Sequence, residues 1–212
     1  MKICVLGGGG YLGSFLCEQL SFTYDVVSVS RNNTTDTNQP FGFYKIPDYS
    51  LISLEKMLQI ELPDVVINTV AYTDVDGCEK NKALAVDLNC CLPRRLAKLS
   101  NDKKFRLIHI STDQLWGNEV AIHAVSEPVF PMNIYGVTKA QGEQQIIGHR
   151  CNGTIIRVNF FHNSIEAKHQ KNFWPWIVNS YLSSIGIVGF TDIYYTPIST
   201  YILTEFKIGR AH

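Results

Sequence analysis

The sequence lacks a surplus of charge of either sign. Nineteen Lys and Arg stand against 19 Asp and Glu in 212 residues, a formal net charge of zero. With no run of Lys or Arg, the electrostatic footprint of nucleic-acid binding is missing. Long apolar runs are also lacking. None approaches the ~20 residues of a membrane span. The first, Ile3–Leu6, is ended by glycines, too soon for the core of a secretory signal. Cys-x-x-Cys pairs are absent: the six cysteines stand at 4, 17, 78, 90, 91 and 151. The adjacent Cys90-Cys91 has no zinc-like spacing, so no metal site is expected. Most of these cysteines fall in apolar periodic segments, where a thiol behaves as a small hydrophobe. They are expected to be reduced structural thiols of a cytoplasmic protein. Repeats and low-complexity tracts are missing too, and 45% hydrophobic residues exclude disorder. At about 150 residues per domain, the length predicts one domain and part of a second.

What is present is alternation. Short apolar runs at Lys2–Leu6, Val26–Ser30, Phe43–Ile46, Asp64–Asn68, Arg106–Ser111 and Thr154–Val158 read as strands. Helical patterns at Tyr11–Leu20, Leu51–Ile60, Ala83–Ser100 and Ile134–Gly148 separate them. Strands apolar on consecutive positions and spaced by helices predict a parallel sheet covered on both faces. The fold class is therefore α/β, a doubly wound parallel sheet of Rossmann type. Segments 31–42 and 117–133 are polar or proline-bearing and read as loops, the second bordering a site.

Gly7, Gly10 and Gly13 form Gly-x-x-Gly-x-x-Gly between the first strand and the first helix. Missing side chains let the backbone approach a pyrophosphate. The helix start, Tyr11-Leu12-Gly13, offers N–H groups and a positive dipole end. A dinucleotide cofactor is expected there. At the end of the second strand an Asp or Glu would select NAD; this chain has Ser30-Arg31. No carboxylate repels a 2′-phosphate and Arg31 offers it a partner, which favours NADPH, with NADH open. Asp48 is placed either to reach an adenine edge or to cap the helix Leu51–Ile60.

Tyr135 and Lys139 stand four apart on one predicted helical face. A tyrosine, with a free pKa of about 10, works as a general acid near neutral pH when its phenolate is stabilised. A lysine one turn away supplies that charge. Ser111-Thr112-Asp113 ends the fifth predicted strand, on the sheet edge where ligands of such folds bind, and a hydroxyl there would hydrogen-bond a substrate carbonyl.

These residues carry a resemblance. The chain resembles the extended short-chain dehydrogenase/reductase superfamily. Within it, the likeness is to dTDP-4-dehydrorhamnose reductase and its sugar-nucleotide 4-ketoreductase relatives. The likeness runs through Pro63–Asn68, Ala71–Asp76, Cys78-Glu79, Asn89, Ile110–Asp113, Pro131–Lys139, Gly142-Glu143, Arg157, Asp192 and Pro197, over about residues 1–205. The resemblance implies that Thr112 polarises a 4-keto oxygen, Tyr135 donates the proton, and Lys139 tunes Tyr135 and binds the nicotinamide ribose. It implies that Asn68, Ala71 and Tyr72 line the cofactor cleft, and that Asp113, Arg157 and His162 meet a nucleotide-sugar substrate. A homodimer fits the same picture. Gln114 stands where the family usually has an aromatic residue, and Thr69–Tyr72 where it has small residues and a His. The identity of the sugar therefore stays open. Two other readings use the same fold: a non-catalytic NAD(P)-binding regulatory subunit, and a nucleotide-sugar epimerase.

His109 alternates within an apolar strand and reads as a satisfied buried histidine. The expected organisation is an NAD(P)-binding domain over 1–158 and a partial substrate-binding region over 159–207. Residues 208–212, Ile-Gly-Arg-Ala-His, match a reading frame of a common sequencing adapter and are expected to be an artefact on a truncated frame.

Overall fold

A computed structural model of the chain describes residues 1–32, 39–117, 123–159, 161–162, 179–186 and 198–199. It divides into two compact units, Met1–Val158 and Asn159–His212.

The first unit is built on six strands: β1 (Lys2–Leu6), β2 (Asp25–Ser30), β3 (Gly42–Lys45), β4 (Val65–Asn68), β5 (Arg106–Thr112) and β6 (Gly153–Val158). Their order is β3-β2-β1-β4-β5-β6, and every pairing is parallel. Residues of β1 and β4 are buried on consecutive positions, as strands covered on both faces must be. The chain winds outward from β1 to β3, then returns to β4 on the other side. That reversal opens a crevice at the carboxyl ends of β1 and β4.

Helices α1 (Tyr11–Ser21), α2 (Leu51–Glu61), α5 (Leu92–Lys103) and α6 (Ile134–Gly148) cover the sheet, with short α3 (Val75–Lys80) and α4 (Lys82–Val86) beside the crevice. One core cluster joins Cys4, Leu6 and Val66 of the sheet to Leu54 and Met57 of α2 and Leu92, Leu96 and Leu99 of α5. No helix of the described residues is long and apolar enough to cross a membrane.

Two differences from the sequence reading have physical causes. The helix expected over Ala83–Ser100 is interrupted by a π-helical turn at Asp87–Cys91. Pro93 has no N–H to send to the Asn89 carbonyl, so the regular ladder fails there, and Leu92 N–H bonds back to Asp87 O instead. The freed Asn89 carbonyl faces α6 at Gly142, where a Cβ would collide with it. Helix α3 is too short to show periodicity, but the Asp74 side chain caps it by accepting from Gly77 N–H at 3.0 Å.

The second unit contains a two-residue parallel ladder, β7 (Phe161–His162) with β8 (Ile198–Ser199). The side chain of His162 lies outside the described residues, as do Asp192, Pro197 and 208–212.

Candidate active site

The glycine loop leaves β1 with Gly7 at φ +82°, a conformation that side-chain-bearing residues rarely adopt. Gly7 and Gly8 N–H both donate to Val29 O, at 2.9 and 3.2 Å, tying the loop to the end of β2. A Cβ on Gly13 would collide with the Gly7 carbonyl, and one on Gly9 would come within 2.8 Å of Ser30 Oγ. The loop is therefore a bare backbone cradle. Helix α1 begins behind it at Gly10, with no side-chain cap and no acidic residue in its first turn. An anion is favoured at such an end. Tyr11 and Leu12 form the first turn.

At the neighbouring β2 end, Ser30 is buried and Arg31 is exposed, its guanidinium 5.5 Å from the Tyr49 ring centroid. Asp48 is exposed and does not cap α2. Ser50 does, accepting from Ser53 N–H, while Asp48 accepts from Ser50 N–H at 2.9 Å. Hydrogen bonds from Ser50 and Ser53 hold the Asp48 carboxyl down at about 2.

Across the crevice, β4 ends at Asn68. Its Oδ1 accepts from Val70 N–H at 3.1 Å, and its Nδ2 lies 3.1 Å from His109 Nδ1. Half-buried Ala71 and Tyr72 follow on the same sheet edge. Tyr72 is held by Asn89, whose Oδ1 accepts from Tyr72 N–H at 2.8 Å and whose Nδ2 donates to Tyr72 O at 3.0 Å and Thr138 Oγ1 at 3.1 Å. Asn89 carried part of the family likeness but no assigned role. Its position on the π turn, signalled by Pro93, makes it the clamp between the crevice wall and α6.

Helix α6 starts at Asn133, whose side chain accepts from Gly136 N–H at 2.7 Å, while Glu79 accepts from Ile134 N–H at 2.9 Å. The start of α6 is thus fixed to α3. Tyr135 is buried beside Cys78 and Ala85. Burial pushes its phenol above the ordinary range; a hydrogen bond with the Thr112 hydroxyl opposes this, and the Asp113 charge adds to it. The phenol is protonated at neutral pH, the state of a proton donor. Thr112 Oγ1 accepts from Gln114 N–H at 3.2 Å, and Asp113 N–H donates to Val158 O at 3.1 Å.

Lys139 shares the helical face of Tyr135, but its ammonium-bearing end goes to β5. Nζ lies 2.6 Å from Ile110 O and 3.4 Å from His109 Nε2. It is 1% exposed. Burial lowers its pKa to about 8, with Glu143 pushing the other way. Arg157 forks onto Glu143 with contacts of 2.7 to 3.2 Å, donates to Val125 O at 3.2 Å, and lies 5.0 Å from the Trp116 ring centroid. Among the described residues no cluster of His, Cys, Asp or Glu would hold a metal, and all six cysteines are free.

A glycine cradle at the switch point of a parallel sheet, with Thr112, Tyr135 and Lys139 along its edge, defines a Rossmann-type α/β protein. The model of the RmlD substrate binding domain family matches residues 1–208. The chain belongs to this family, the dTDP-4-dehydrorhamnose reductase branch of the extended short-chain dehydrogenases/reductases. It is 30% identical over 172 residues to the dTDP-4-dehydrorhamnose reductase of Mycobacterium tuberculosis, covering 79% of this chain and 52% of that protein. It is 33% identical over 158 residues to the Escherichia coli enzyme of that name, covering 74% of this chain and 50% of that one. The chain thus spans about half the length of these two relatives. The solved dTDP-4-dehydrorhamnose reductase of Yersinia enterocolitica superposes with a TM-score of 0.81 at 26% identity, covering 98% of this chain and 69% of that one.

Proposed function

We propose that the chain carries the NADPH-binding and catalytic part of a reductase of 4-keto nucleotide-activated deoxysugars, of the dTDP-4-dehydrorhamnose reductase type. In this reading residues 1–158 bind the cofactor and 159–207 belong to a substrate-binding region. The observation that carries it is the Thr112–Tyr135 hydroxyl pair at the carboxyl end of β5, on the sheet edge that also bears the glycine cradle. The M. tuberculosis and E. coli relatives support the substrate class by their names.

The residues fit a dinucleotide. The cradle of Gly7, Gly9 and Gly13 has no side chain in the way, and the uncapped α1 start favours a pyrophosphate. Ser30 and Arg31 put a hydroxyl and a cation where a 2′-phosphate would lie, and the Tyr49 ring beside Arg31 steadies the guanidinium. NADPH, when bound, supplies the hydride. The Thr112 hydroxyl donates a hydrogen bond to the keto oxygen. The Tyr135 phenol transfers its proton to that oxygen as the carbonyl carbon is reduced, leaving an alcohol. The Tyr135 phenolate is then reprotonated from solvent. Asp113, Arg157 and His162 are the residues assigned to the sugar nucleotide.

The test is NADPH and NADH oxidation by the purified protein with a panel of 4-keto nucleotide sugars. NADPH consumption is expected, with Tyr135→Phe slower by about 100-fold or more, the usual reach of a general acid. Cofactor binding without turnover on any member of the panel, or an unchanged rate in Tyr135→Phe, would overturn the reading.

A further inference from the structure

The buried polar atoms between β4, β5 and α6 form a chain whose hydrogen-bond directions can be fixed from one end. Val70 N–H is a backbone donor and can only donate, so the atom it meets, Asn68 Oδ1, is the amide oxygen. The other end of that amide, Nδ2, is then a donor, and it meets His109 Nδ1 at 3.1 Å. His109 is 1% exposed, and burial with the Lys139 charge holds its pKa well below 6.5, so the ring is neutral. A neutral imidazole carries one N–H. Since Nδ1 accepts from Asn68, the proton sits on Nε2.

Nε2–H faces Lys139 Nζ at 3.4 Å. An ammonium there would set donor against donor. An amine would not: it accepts Nε2–H on its lone pair and still donates to Ile110 O at 2.6 Å. Every member of the chain is then matched in direction, from Val70 N–H to Ile110 O. The charge acting on Lys139 is that of Glu143, from α6 itself. Glu143 is already forked by Arg157 of β6.

We propose that His109 is a positioning residue for Lys139: presenting Nε2–H to Nζ, it disfavours the ammonium and eases loss of the lysine's proton, and a ligand that brings acceptors to Nζ restores the ammonium. The importance of this for reduction rests on the function proposed above, since Lys139 would then hold its proton more firmly once cofactor binds. The hydrogen-bond chain itself does not depend on that reading.

The experiment is nitrogen and carbon NMR on the 212-residue chain without cofactor. It uses labelled histidine and lysine, with Lys139→Arg identifying the lysine signal. The expected result is the Nε2–H tautomer for His109 and a Lys139 titration near 8, well below the ordinary lysine value of 10.5. The Nδ1–H tautomer, or a Lys139 signal that titrates at the ordinary lysine value of 10.5, overturns the proposal even if the protein proves an active reductase. An inactive protein with the expected signals leaves it standing. Asn68→Asp supplies a second measurement. A carboxylate at 68 accepts Nδ1–H, bares Nε2 and lets the ammonium donate to it. Lys139 should then titrate higher by about one unit or more. Coulomb attraction alone would give the same rise in a His109→Phe background. Equal shifts in the two backgrounds would therefore also overturn the proposal. If either variant fails to fold, the wild-type tautomer and titration decide alone.

Discussion

Arg157 binds so fully within the protein that its worth to stability can be separated from any contact with substrate. Its fork onto Glu143 satisfies a carboxylate whose side chain is only 2% exposed. Removing one partner of a buried pair leaves an uncompensated charge, whereas removing both with apolar replacements is often neutral. Arg157→Met should therefore lower unfolding stability by about 3–5 kcal/mol in urea melts, and Arg157→Met with Glu143→Leu should recover most of that loss. The recovered double variant then reports on substrate. If Arg157 also meets the sugar nucleotide, KM rises in a protein of near-normal stability. If it is only structural, KM is unchanged. The sequence pointed to Arg157 through family likeness, but its partner lies 14 residues back on another element, and no spacing rule reveals such a pair. His109 was legible as buried from its place in an apolar strand, yet its contact with Lys139 joins residues 30 apart and needed the fold.

At the scale of elements, the π turn is where local sequence and site meet. Asn89 supplies one carboxamide to both backbone groups of Tyr72 and to the Thr138 hydroxyl. Asn89→Ala would leave the Tyr72 N–H without its partner, at about 1–3 kcal/mol if it stays buried, while Tyr72 O keeps the Cys78 thiol and the Thr138 hydroxyl keeps its bonds within α6. We expect a loss of about 1–3 kcal/mol in urea unfolding, together with weaker cofactor binding because the Tyr72 wall is released. An Asn89→Ala variant with an unchanged melt would show that the clamp carries no energy. Most elements were readable beforehand. The strands betray themselves as consecutive apolar residues, and the glycine loop fixes the start of α1. Helix Ile134–Gly148 appears with the expected bounds, because Asn133 caps it and Arg150 at φ +50° follows its end. The interruption at Asp87–Cys91 was not read, because the apolar pattern runs on through it. Pro93 is the local signal for it, set within a periodic apolar run. Asp48 was likewise credited with a capping option that Ser50 fulfils, the difference between two neighbouring cap residues that propensity alone does not rank.

For the whole molecule, the titrating groups buried in the fold predict an unusual dependence of stability on pH. His109 is held neutral, so its folded pKa lies below its unfolded value, and its contribution is lost as pH falls through 6.5. Lys139 is lowered from 10.5 to about 8. Below 8 its charge is a burden on the folded state; between 8 and 10.5 the unfolded chain binds the extra proton, and stability rises with pH. Cys4 and Cys17 act in the opposite sense. Burial raises both from 9.0 to about 12, so their contribution is full below 9 and is lost as pH climbs toward 12. Cys78, Cys90 and Cys151 are raised as well and add to that decline. One lysine works alone between 8 and 9, and several thiols outweigh it above 9. Unfolding free energy in urea, with a reductant present, should thus be level from about pH 6.5 to 8. It should then rise by about 1 kcal/mol toward pH 9 and fall beyond it. Lys139→Met should erase the rise and leave the fall, because the thiols are untouched. A wild-type profile that declines steadily from pH 7 would mean that Lys139 is not buried as an amine-forming group. In that event the Lys139 ammonium reaches solvent instead of the Ile110 carbonyl between α6 and β5.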